Sequence, residues 1–475
     1  MKDLYCVILA AGLGTRMKSS LAKVLHPVAG RPMLMYTLDN VLALKPVKTA
    51  VVVGHQADKV KALLPPGVVP AFQKEQKGTA HAASVGLGRL GAGGARGANK
   101  GATGGAGDTL LLVSGDTPLL GHETLKGLIS YHKQKKADIT VLTAYLDDPA
   151  GYGRIVREDG IVKRIVEQKD ATPSEREIGE INSGTYCFDI ASLKKALSEV
   201  RSENAQGEFY LTDVIEIVQK NGGKVAGFPV DDPMVAMGVN SRTELAMAEK
   251  EIRKKINQRL MNSGVTMTDP ESTYISAEVK IGPDTIIHPG NHITGSTSIG
   301  PGCLLMAGNI ISGSVIGGGV KVKGYSVIED SRISERAEVG PFAHLRPGSV
   351  VGAEARVGNF VELKKAEIGQ GTKASHLTYL GDAVIGRNVN IGAGTITCNY
   401  DGFSKFKTVI GDDVFVGSDT QFIAPVNIGN GALIAAGSTI TKDVPDNALA
   451  LSRAPQMNRE NWAKENRNRK IKKKS

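Results

Sequence analysis

The sequence has few aromatic residues, few cysteines and no apolar run long enough to cross a membrane. Aromatic residues make up 5% of the 475 residues, and no uninterrupted apolar stretch approaches the roughly 20 residues that a membrane helix needs. The cysteines are scattered without a CxxC pair, at Cys6, Cys187, Cys303 and Cys398. This scatter argues against a disulfide scaffold and a structural zinc site, and it favours reduced thiols in a cytoplasm. The opening MKDLYCVILAAG leads into a glycine loop without a cleavage-site pattern, which predicts a first strand and not a signal peptide.

Charge of one sign is concentrated near the end of the sequence. From Arg459 onward there are eight Lys/Arg and two Glu, so this short segment carries +6 of the formal net charge of +10. A short basic segment of this kind is most often a solvated end, and contact with RNA or an anionic surface is the less favoured interpretation. Hydrophobic residues at 41% and charged residues at 22% exclude a wholly disordered chain, and the length suggests two or three domains.

Up to about residue 240, short apolar runs alternate with helix-like stretches. Residues 5–10, 50–53 and 110–113 are continuous apolar runs bounded by glycine loops, which suits strands buried on both faces of a parallel sheet. Residues 32–44 have helical character. This βαβ rhythm predicts a doubly wound, Rossmann-like α/β domain. The Gly/Ala-rich residues 88–107 lack a periodic apolar face and are predicted to form a flexible surface insertion.

The pattern changes after residue 240. Residues 241–262 predict a linker helix, with Ser241 as N-cap, Glu244 three residues later and Gly264 after its end. Its predicted apolar stripe consists of Leu245, Ala248, Ile252, Ile256 and Leu260. Beyond residue 264 a branched apolar residue recurs at every sixth position, most clearly at Ile281, Ile287, Ile293, Ile299 and Leu305. This spacing predicts a triangular prism of stacked coils, a hexapeptide parallel β-helix, although it does not determine the handedness.

Two features of the first half suggest phosphate chemistry. Gly12 and Gly14 follow the first predicted strand and would let backbone N–H groups approach phosphate, with Arg16 and Lys23 as nearby cations. The loop lacks the third glycine of GxGxxG, so a tight strand–helix turn is an equally good interpretation by spacing alone. Asp116 follows the run 110–113, where open α/β sheets bind ligands and where a carboxylate can hold Mg²⁺. The alternative for Asp116 is a cap for the following turn.

An ordered set of motifs, together with the hexapeptide region, resembles a known family. The motifs are LAAGLGTRM at 9–17, KVLH at 23–26, Gln73 with Gly78-Thr79-Ala80-His81, GDTPL at 115–119, Tyr152-Gly153-Arg154, 166–170, 181–184 and 238–240. Over roughly residues 3–458 the chain resembles the bacterial bifunctional N-acetylglucosamine-1-phosphate uridyltransferase/glucosamine-1-phosphate acetyltransferases. The resemblance implies a uridylyltransferase domain at 1–240, a linker helix at 241–262, a left-handed β-helix acetyltransferase domain at 263–458 and a basic flexible tail at 459–475.

The resemblance implies a first reaction in which N-acetylglucosamine 1-phosphate attacks the α-phosphorus of UTP and pyrophosphate leaves. Arg16 and Lys23 would neutralise the developing charge, and Asp116 and Asn240 would hold Mg²⁺. The implied nucleotide-binding residues are Gly12, Gly14, Lys23, Gln73, Gly78, Thr79, Ser114, Gly115 and Asp116, and the implied N-acetylglucosamine-binding residues are Gly153, Glu167, Asn182 and Asn240. Ser114 stands where the family commonly has tyrosine, which can alter a contact near the ribose.

The second implied reaction is acetylation of glucosamine 1-phosphate by acetyl-CoA on the β-helix. His376 would be the general base, although a lone histidine on a solenoid is more often a surface residue. The residues implied to bind the acceptor sugar phosphate are Arg346, Lys364, Tyr379, Asn390 and Lys405, and those implied for acetyl-CoA are Ala393, Asn399, Tyr400, Ser418, Ala436 and Arg453. Cys398 is predicted to be a packed thiol, and no metal role is predicted for His288, His292 and His344.

The expected partners are small molecules and further copies of the chain. The resemblance implies a cytoplasmic homotrimer that makes UDP-N-acetylglucosamine, a precursor of bacterial peptidoglycan and lipopolysaccharide, and that binds no specific nucleic acid. Two alternatives remain open at this point. One is a single-activity sugar-phosphate nucleotidyltransferase with a structural or regulatory β-helix, and the other is a trimeric scaffold that binds nucleotide or RNA through its basic tail.

Overall fold

The computed structural model describes residues 3–91 and 108–472. The chain divides into two compact units, Met1–Arg253 and Lys254–Ser475. Within the described stretches, none of the helices has both the length and the apolar character that crossing a membrane requires.

The first unit is built on a mixed sheet with helices on both faces. Its strands are β1 (Leu4–Ala10), β2 (Pro27–Val28), β3 (Arg31–Pro32), β4 (Lys48–Val53), β5 (Val68–Phe72), β6 (Thr109–Ser114), β7 (Ile139–Tyr145), β8 (Arg154–Glu158), β9 (Ile161–Val166), β10 (Glu180–Asp189) and β11 (Val225–Pro229). Its helices are α1 (Met33–Leu42), α2 (Ala57–Lys61), α3 (Thr79–Arg89), α4 (His122–Lys135), α5 (Pro173–Arg176), α6 (Ile190–Leu197) and α7 (Asp213–Lys220), followed by α8 (Arg242–Asn262), which crosses the division at residue 253. Short 3-10 helices lie at Thr15–Met17, Lys23–Leu25 and Pro233–Ala236.

The main sheet has the strand order β11-β7-β10-β6-β1-β4-β5, and β8 and β9 extend it from β10. Strands β1, β4, β5 and β6 are parallel, as the apolar runs predict, but β10 is antiparallel to both β6 and β7. The sheet is therefore mixed, because an apolar run indicates burial and does not determine strand direction. Side chains of β1 alternate between two hydrophobic cores, Tyr5 and Val7 on one side and Cys6 and Ile8 on the other.

Two sequence-based boundaries can be compared with the structure. Helix α8 begins directly after Ser241, whose Oγ accepts a hydrogen bond from the Glu244 backbone N–H at 3.2 Å, while the Glu244 carboxylate accepts from the Ser241 N–H at 2.7 Å. The predicted N-cap is thus confirmed as a capping box. In contrast, residues 88 and 89 of the predicted insertion belong to α3 and Leu90 is fully buried, so the insertion was predicted to start too early. Residues 92–107 of that prediction lie outside the described residues.

The second unit is a parallel β-helix whose coils present three faces, here called A, B and C. Face A holds Thr266–Met267, Ile286–Ile287, Leu304–Leu305, Lys321–Val322, Glu338–Val339, Asn390–Ile391, Phe415–Val416, Leu433–Ile434 and Leu449–Ala450. Face B holds Tyr274–Ile275, His292–Thr294, Ile310–Ser312, Val327–Glu329, His344–Leu345, Ile396–Cys398, Gln421–Ile423 and Thr439–Ile440. Face C holds Lys280–Ile281, Ser298–Ile299, Val315–Ile316, Arg332–Ile333, Val350–Val351, Glu367–Ile368, Ala383–Ile385, Thr408–Ile410 and Val426–Ile428. Two longer strands, Arg356–Lys364 and Lys373–Gly381, continue from face A onto face B.

The coils stack in strict register. On face C, Ile281 pairs with Ile299, and Ile299 in turn pairs with Ile316, so successive coils are of nearly equal length. One coil is longer, because Ile385 pairs with Ile410 and the segment 399–407 forms a loop between them. Four of the five predicted core positions are buried, whereas Ile281 in the first coils is only half-buried. The predicted α/β fold with a left-handed hexapeptide β-helix is confirmed.

The basic segment contains a helix. Helix α9 (Trp462–Lys472) occupies most of the 459–475 segment that was expected to be flexible. Trp462 is exposed, so the helix is solvated, in agreement with the interpretation of this segment as a solvated end.

Candidate active sites

The glycine loop after β1 lies against the segment that carries Lys23. Gly14 has φ +66, and a Cβ added there would lie 2.7 Å from the Lys23 Cβ, so this position favours glycine for both its conformation and its close contact. Gly12 and Arg16 of this loop are exposed to solvent. The structure thus brings the predicted loop and the predicted lysine together.

Lys23 connects the two predicted metal ligands. Its ammonium forms an ion pair with the Asp116 carboxylate and lies 3.0 Å from the Asn240 Oδ1. The Asn240 Nδ2 donates to the Gly238 carbonyl at 3.1 Å, which directs Oδ1 towards the lysine. A carboxylate and an amide oxygen that converge on one cation are the hard oxygen donors that Mg²⁺ prefers, and Mg²⁺ usually completes its shell with water and substrate phosphate. These residues therefore fit a magnesium ion.

The loop and the cation centre face a cleft of about 300 Å³. The cleft brings together seven predicted residues, which are Gly12, Lys23, Gln73, Gly78, Thr79, Ser114 and Asp116. Sequence reasoning missed two polar residues of its lining. The Gln76 Nε2 donates to the Ala11 carbonyl at 2.7 Å, and Glu208 comes from a distant segment that no local pattern connects to the cleft.

At Gly78, which lines the cleft, the backbone lies very close to the backbone of Phe209. Gly78 has φ +109, and a Cβ there would lie 2.5 Å from the Phe209 carbonyl oxygen. The buried Gln73 donates through Nε2 to the Gly78 carbonyl at 3.3 Å, and the Thr79 Oγ accepts from the Leu211 N–H at 2.9 Å. These contacts fix the positions of three residues that the resemblance implies for nucleotide binding.

Two predicted nucleotide-binding residues, Gly14 and Gly115, are not among the residues that line the cleft. Gly115 is buried, its N–H donates to the Leu9 carbonyl at 2.8 Å, and a Cβ there would lie 2.9 Å from the Leu34 Cδ1. The structure therefore places Gly115 in contact with β1 and α1, where it allows close packing. Its neighbour Ser114 does line the cleft and lies beside Gly184.

Three of the predicted sugar-binding residues form one group. The Asn182 N–H donates to the Gly153 carbonyl at 2.9 Å, and the Glu167 carboxylate lies 3.5 Å from the position of a Cβ at Gly153. Burial raises the pKa of Glu167, and the Thr212 hydroxyl donates to this carboxylate at 3.2 Å. Asn240, which was predicted for both the sugar and the metal, contacts Lys23 instead. Thr212 was missed, because its role depends on a contact between segments that are distant in the sequence.

On the β-helix, the predicted base and four of the six residues predicted for acetyl-CoA follow the edge between faces A and B, here called the A/B edge. His376 is exposed on this edge, and its Nδ1 lies 2.6 Å from the Asn359 Oδ1 on the preceding coil. Backbone hydrogen bonds join each coil to the next along this edge. They run from the Gly394 N–H to the Leu377 carbonyl, from the Asp419 N–H to the Ala393 carbonyl and from the Gly437 N–H to the Ser418 carbonyl. The Arg453 guanidinium donates to the Ala436 carbonyl at 2.9 Å. The edge thus carries His376, Ala393, Ser418 and Ala436 on successive coils.

The predicted phosphate-binding cations lie at the opposite edge of face B. Pairing of Leu345 with Leu363 places Arg346 and Lys364 at neighbouring positions on successive coils. The Arg346 Nη1 lies 3.0 Å from the Glu362 Oε1, and the Lys364 Nζ lies 3.3 Å from the Asp382 Oδ2. The Lys364 ammonium lowers the pKa of Lys405, because the 399–407 loop brings the two like charges together. The loop is held by Asn399, whose Nδ2 donates to the Asp382 carboxylate at 2.5 Å.

Two of the predicted acceptor residues lie on different faces. Tyr379 is on face B in register with Glu362, whereas Asn390 is on face A in register with Lys373. Tyr400 is exposed on the 399–407 loop, and its hydroxyl donates to the Gly402 carbonyl at 2.5 Å. The A/B edge with His376 therefore lies between Asn390 and Tyr379.

The remaining cysteine and histidines have no reactive arrangement. Cys398 is half-buried, and burial raises the pKa of its thiol, which keeps the thiol protonated near neutral pH. His292 stacks on Tyr274 with ring centroids 4.5 Å apart, and the His344 Nε2 lies 3.3 Å from the Glu329 carboxylate. Over residues 3–91 and 108–472, no group of three or more His, Cys, Asp or Glu side chains could hold a metal ion.

A phosphate loop with a cation centre at the strand ends, joined to a hexapeptide β-helix, defines a nucleotidyltransferase with a second transferase-type domain. Residues 6–159 match the MobA-like NTP transferase domain, residues 271–368 match the GMPPB C-terminal domain, and residues 407–442 match the bacterial transferase hexapeptide (six repeats).

Full-length relatives make the family specific. The chain is 50% identical over 469 residues to the Bifunctional protein GlmU of Halalkalibacterium halodurans, covering 98% of this chain and 100% of that protein. The proteins of the same name from Pelobacter propionicus and Geotalea uraniireducens are each 49% identical over 465 residues, covering 97% of this chain and 98% and 99% of theirs. The chain belongs to the GlmU family of bifunctional proteins. The predicted family and the prediction of a bifunctional enzyme are confirmed, in preference to the single-activity and scaffold alternatives.

Proposed function

We propose that the chain acetylates glucosamine 1-phosphate with acetyl-CoA on the β-helix and then transfers UMP from UTP to the product in the cleft of the first unit. The second reaction releases pyrophosphate and yields UDP-N-acetylglucosamine. The observation that carries this proposal is the presence in one chain of two polar clusters with different chemistry. One is a cation centre in a cleft lined by a phosphate loop, and the other is an exposed histidine on an edge of stacked coils.

In uridylyl transfer, the phosphate oxygen of N-acetylglucosamine 1-phosphate attacks the α-phosphorus of UTP in line with the departing pyrophosphate. No side-chain nucleophile is required, so catalysis comes from positioning and charge neutralisation. Lys23 and Arg16 supply positive charge, and the backbone of Gly12 and Gly14 contacts the phosphates. Gln73, Gly78 and Thr79 hold the uracil through fixed donors and acceptors.

Asp116 and Asn240 are the residues that would hold Mg²⁺. The ion supplies neutralisation of the phosphate oxygens when it is bound. Gly153, Glu167 and Asn182 hold the sugar of the acceptor, and Thr212 keeps the half-buried Glu167 carboxylate in a fixed orientation for the sugar hydroxyls. Ser114 contacts the nucleotide from the end of β6, and Gly115 shapes the backbone there.

In acetyl transfer, His376 removes a proton from the 2-amine of glucosamine 1-phosphate as the amine attacks the thioester carbonyl of acetyl-CoA. The carbon–sulfur bond then breaks, and the proton passes to the departing thiolate of coenzyme A. An imidazole suits this task because it changes protonation near neutral pH. The Ala393 N–H polarises the carbonyl, and Arg346, Lys364 and Lys405 bind the acceptor phosphate. Tyr379 and Asn390 orient the amine, while Asn399, Tyr400, Ser418, Ala436 and Arg453 contact coenzyme A.

The assembly is proposed to be a cytoplasmic homotrimer. An apolar column, formed by Tyr325, Phe342, Phe360 and Leu377, stands next to the A/B edge, and these side chains are 48% to 62% exposed. The rings stack at 5.6 Å between Tyr325 and Phe342 and at 5.3 Å between Phe342 and Phe360. A contiguous apolar column of this kind is costly in water and fits burial by a second copy of the chain.

Sedimentation equilibrium tests the trimer. We expect Phe342→Asp to dissociate the assembly, whereas Phe72→Asp, which changes a slightly more exposed phenylalanine of the first unit, should leave it intact. A wild-type protein that is an active monomer at assay concentration would contradict the proposal.

A paired variant assay tests the two activities. His376→Ala is expected to abolish release of the coenzyme A thiol while pyrophosphate release from UTP and N-acetylglucosamine 1-phosphate continues at the wild-type rate. Asp116→Ala is expected to do the reverse. If either variant loses both activities while its thermal unfolding is unchanged, the separation of the two sites is wrong.

A further inference from the structure

We infer that Asn359 is a positioning residue for His376, and that its side-chain oxygen holds the Nδ1–H of the imidazole so that Nε2 is the atom that accepts the proton. The inference rests on the proposed role of His376 as the base. Asn359 lies outside the residues that the resemblance implies for acetyl transfer.

The contact itself is short and lies across two coils. The Asn359 Oδ1 and the His376 Nδ1 are 2.6 Å apart, and the asparagine is half-buried while the histidine is exposed. A hydrogen bond of this length between an amide oxygen and a ring nitrogen requires the nitrogen to carry the proton, because an amide oxygen only accepts. The ring then presents its Nε2 lone pair to the exposed side.

The backbone holds the two residues in register. The strands Arg356–Lys364 and Lys373–Gly381 run unbroken from face A to face B, and Asn359 pairs directly with His376. In the coils before and after them the strands of faces A and B are separate. Residues directly opposite in neighbouring strands are held about 5 Å apart, so the backbone of Asn359 cannot move away from that of His376 without loss of the pairing.

A neutral partner fits the proposed chemistry. A histidine base needs a second group on the other ring nitrogen to fix its tautomer and orientation, as in a Ser-His-Asp triad. An asparagine does this without adding a negative charge, and therefore without retaining the proton that the imidazole must pass to the departing thiolate. If the amide were reversed, with Nδ2 facing the ring, the imidazole would carry its hydrogen on Nε2 and could not accept the amine proton there.

Tautomer measurement on the full-length protein tests the inference directly. Long-range ¹H–¹⁵N correlation spectra of the protein labelled at histidine, with the His376 signals assigned by comparison with His376→Gln, should show hydrogen on Nδ1 in the wild type. In Asn359→Leu we expect the hydrogen to shift to Nε2, the tautomer that a free histidine prefers. A wild-type His376 with its hydrogen on Nε2 would overturn the inference, whatever the rates are.

Kinetics provide a second readout. Asn359→Leu should lower kcat for acetyl transfer by about 10- to 100-fold, in the range of lost orienting partners, with KM for both substrates within about twofold of the wild type. Asn359→Asp, which also accepts from Nδ1–H, should keep the Nδ1–H tautomer and recover kcat to within about tenfold. The matched control Asn427→Leu, on face C, should leave acetyl transfer unchanged. All variants should keep wild-type uridylyl transfer, which reports that the first unit has folded, and the unchanged KM values of acetyl transfer report that the β-helix site has formed.

The outcomes separate this inference from the proposed function. If His376→Ala retains acetyl transfer, the role of His376 as base is wrong. If His376→Ala is inactive but Asn359→Leu keeps the wild-type kcat, only the role of Asn359 is wrong.

Discussion

The two candidate sites are assembled from the chain in different ways. The cleft of the first unit takes Gly12, Lys23, Gln73, Asp116 and Glu208 from segments that are far apart in the sequence, and the sheet brings them together at its strand ends. The A/B edge takes one residue from each coil in order along the chain. Neutralising phosphate charge needs several groups around one space, whereas proton transfer needs one base with a neighbour that orients it.

The sites also differ in how their charges are balanced. Lys23 stands between a carboxylate and an amide oxygen inside a cleft, with its side chain 16% exposed. The cations of the β-helix are balanced separately, Arg346 by Glu362 and Lys364 by Asp382. A change at Lys23 should therefore affect the whole first site, while a change at Arg346 leaves Lys364 paired with Asp382.

The largest expected effect is the loss of activity at the first site alone. Lys23→Met removes the cation between Asp116 and Asn240, so we expect uridylyl transfer to fall by about 100- to 1,000-fold, as for the loss of one preorganised charge partner. Acetyl transfer should be unchanged. Pyrophosphate release and thiol release measure the two activities, and Lys18→Met on the same loop, where the lysine is exposed, is the matched control. A loss of thiol release in Lys23→Met would show that the two sites are not independent.

An intermediate effect tests the close backbone approach in the cleft. In Gly78→Ala, the new Cβ would overlap the Phe209 carbonyl oxygen, and we expect KM for UTP to rise by about 10-fold and the free energy of unfolding to fall by about 1–3 kcal/mol. Gly67→Ala separates the two causes, because Gly67 also has a positive φ, +89, but nothing lies within 4 Å of its added Cβ. It should lose only about 1 kcal/mol and keep the KM of the wild type. Equal KM values in the two variants would contradict the steric explanation.

The smallest expected effect is a change of stability with pH in the first unit. Burial raises the pKa of Asp213 from the ordinary 3.8 to about 6, with Glu216 and Asp170 contributing. The folded state therefore binds more protons than the unfolded state between about pH 4 and 6, so the free energy of unfolding falls as pH rises through that window.

Asp213→Asn removes this dependence. Because Asp213 is half-buried and starts α7, where a negative charge is favoured, the raised pKa corresponds to only about 1 kcal/mol at pH 7.5 in favour of the variant. The difference should vanish below about pH 4. Urea unfolding at several pH values measures it, on the transition that UTP shifts. A wild type whose stability is constant from pH 4 to 7.5 would contradict the assignment.

Periodicity predicted most of the second unit. Ile287, Ile293 and Ile299 are buried because a six-residue repeat requires every sixth side chain to point inward, whereas Ile281 is half-buried near the open end of the prism. Asn359 was missed, although it stands one coil length before His376 in the sequence. The repeats show the average number of residues per coil. Predicting which residues of neighbouring coils are in contact also requires the length of each individual coil.

The first unit was less predictable in detail. Motifs placed Lys23, Asp116 and Asn240 correctly as one group, but the reversed direction of β10 and the contribution of Glu208 depend on tertiary contacts that leave no local pattern. The resemblance implies Gly115 as a nucleotide-binding residue, and this stays a prediction. Its contacts with Leu9 and Leu34 depend on the tertiary fold and leave no local pattern.

The constant register of the coils has a consequence for changes in chain length. From Thr266 to Val339, each described strand of face A pairs with the next so that inward-facing side chains stack on inward-facing ones. The residues predicted for acetyl transfer all come later in the chain, starting at Arg346. Removing or duplicating one whole repeat in that earlier stretch would restore the same stacking partners on both sides of the join. The prism could thus be shortened or lengthened in whole steps while the geometry around His376 stays the same.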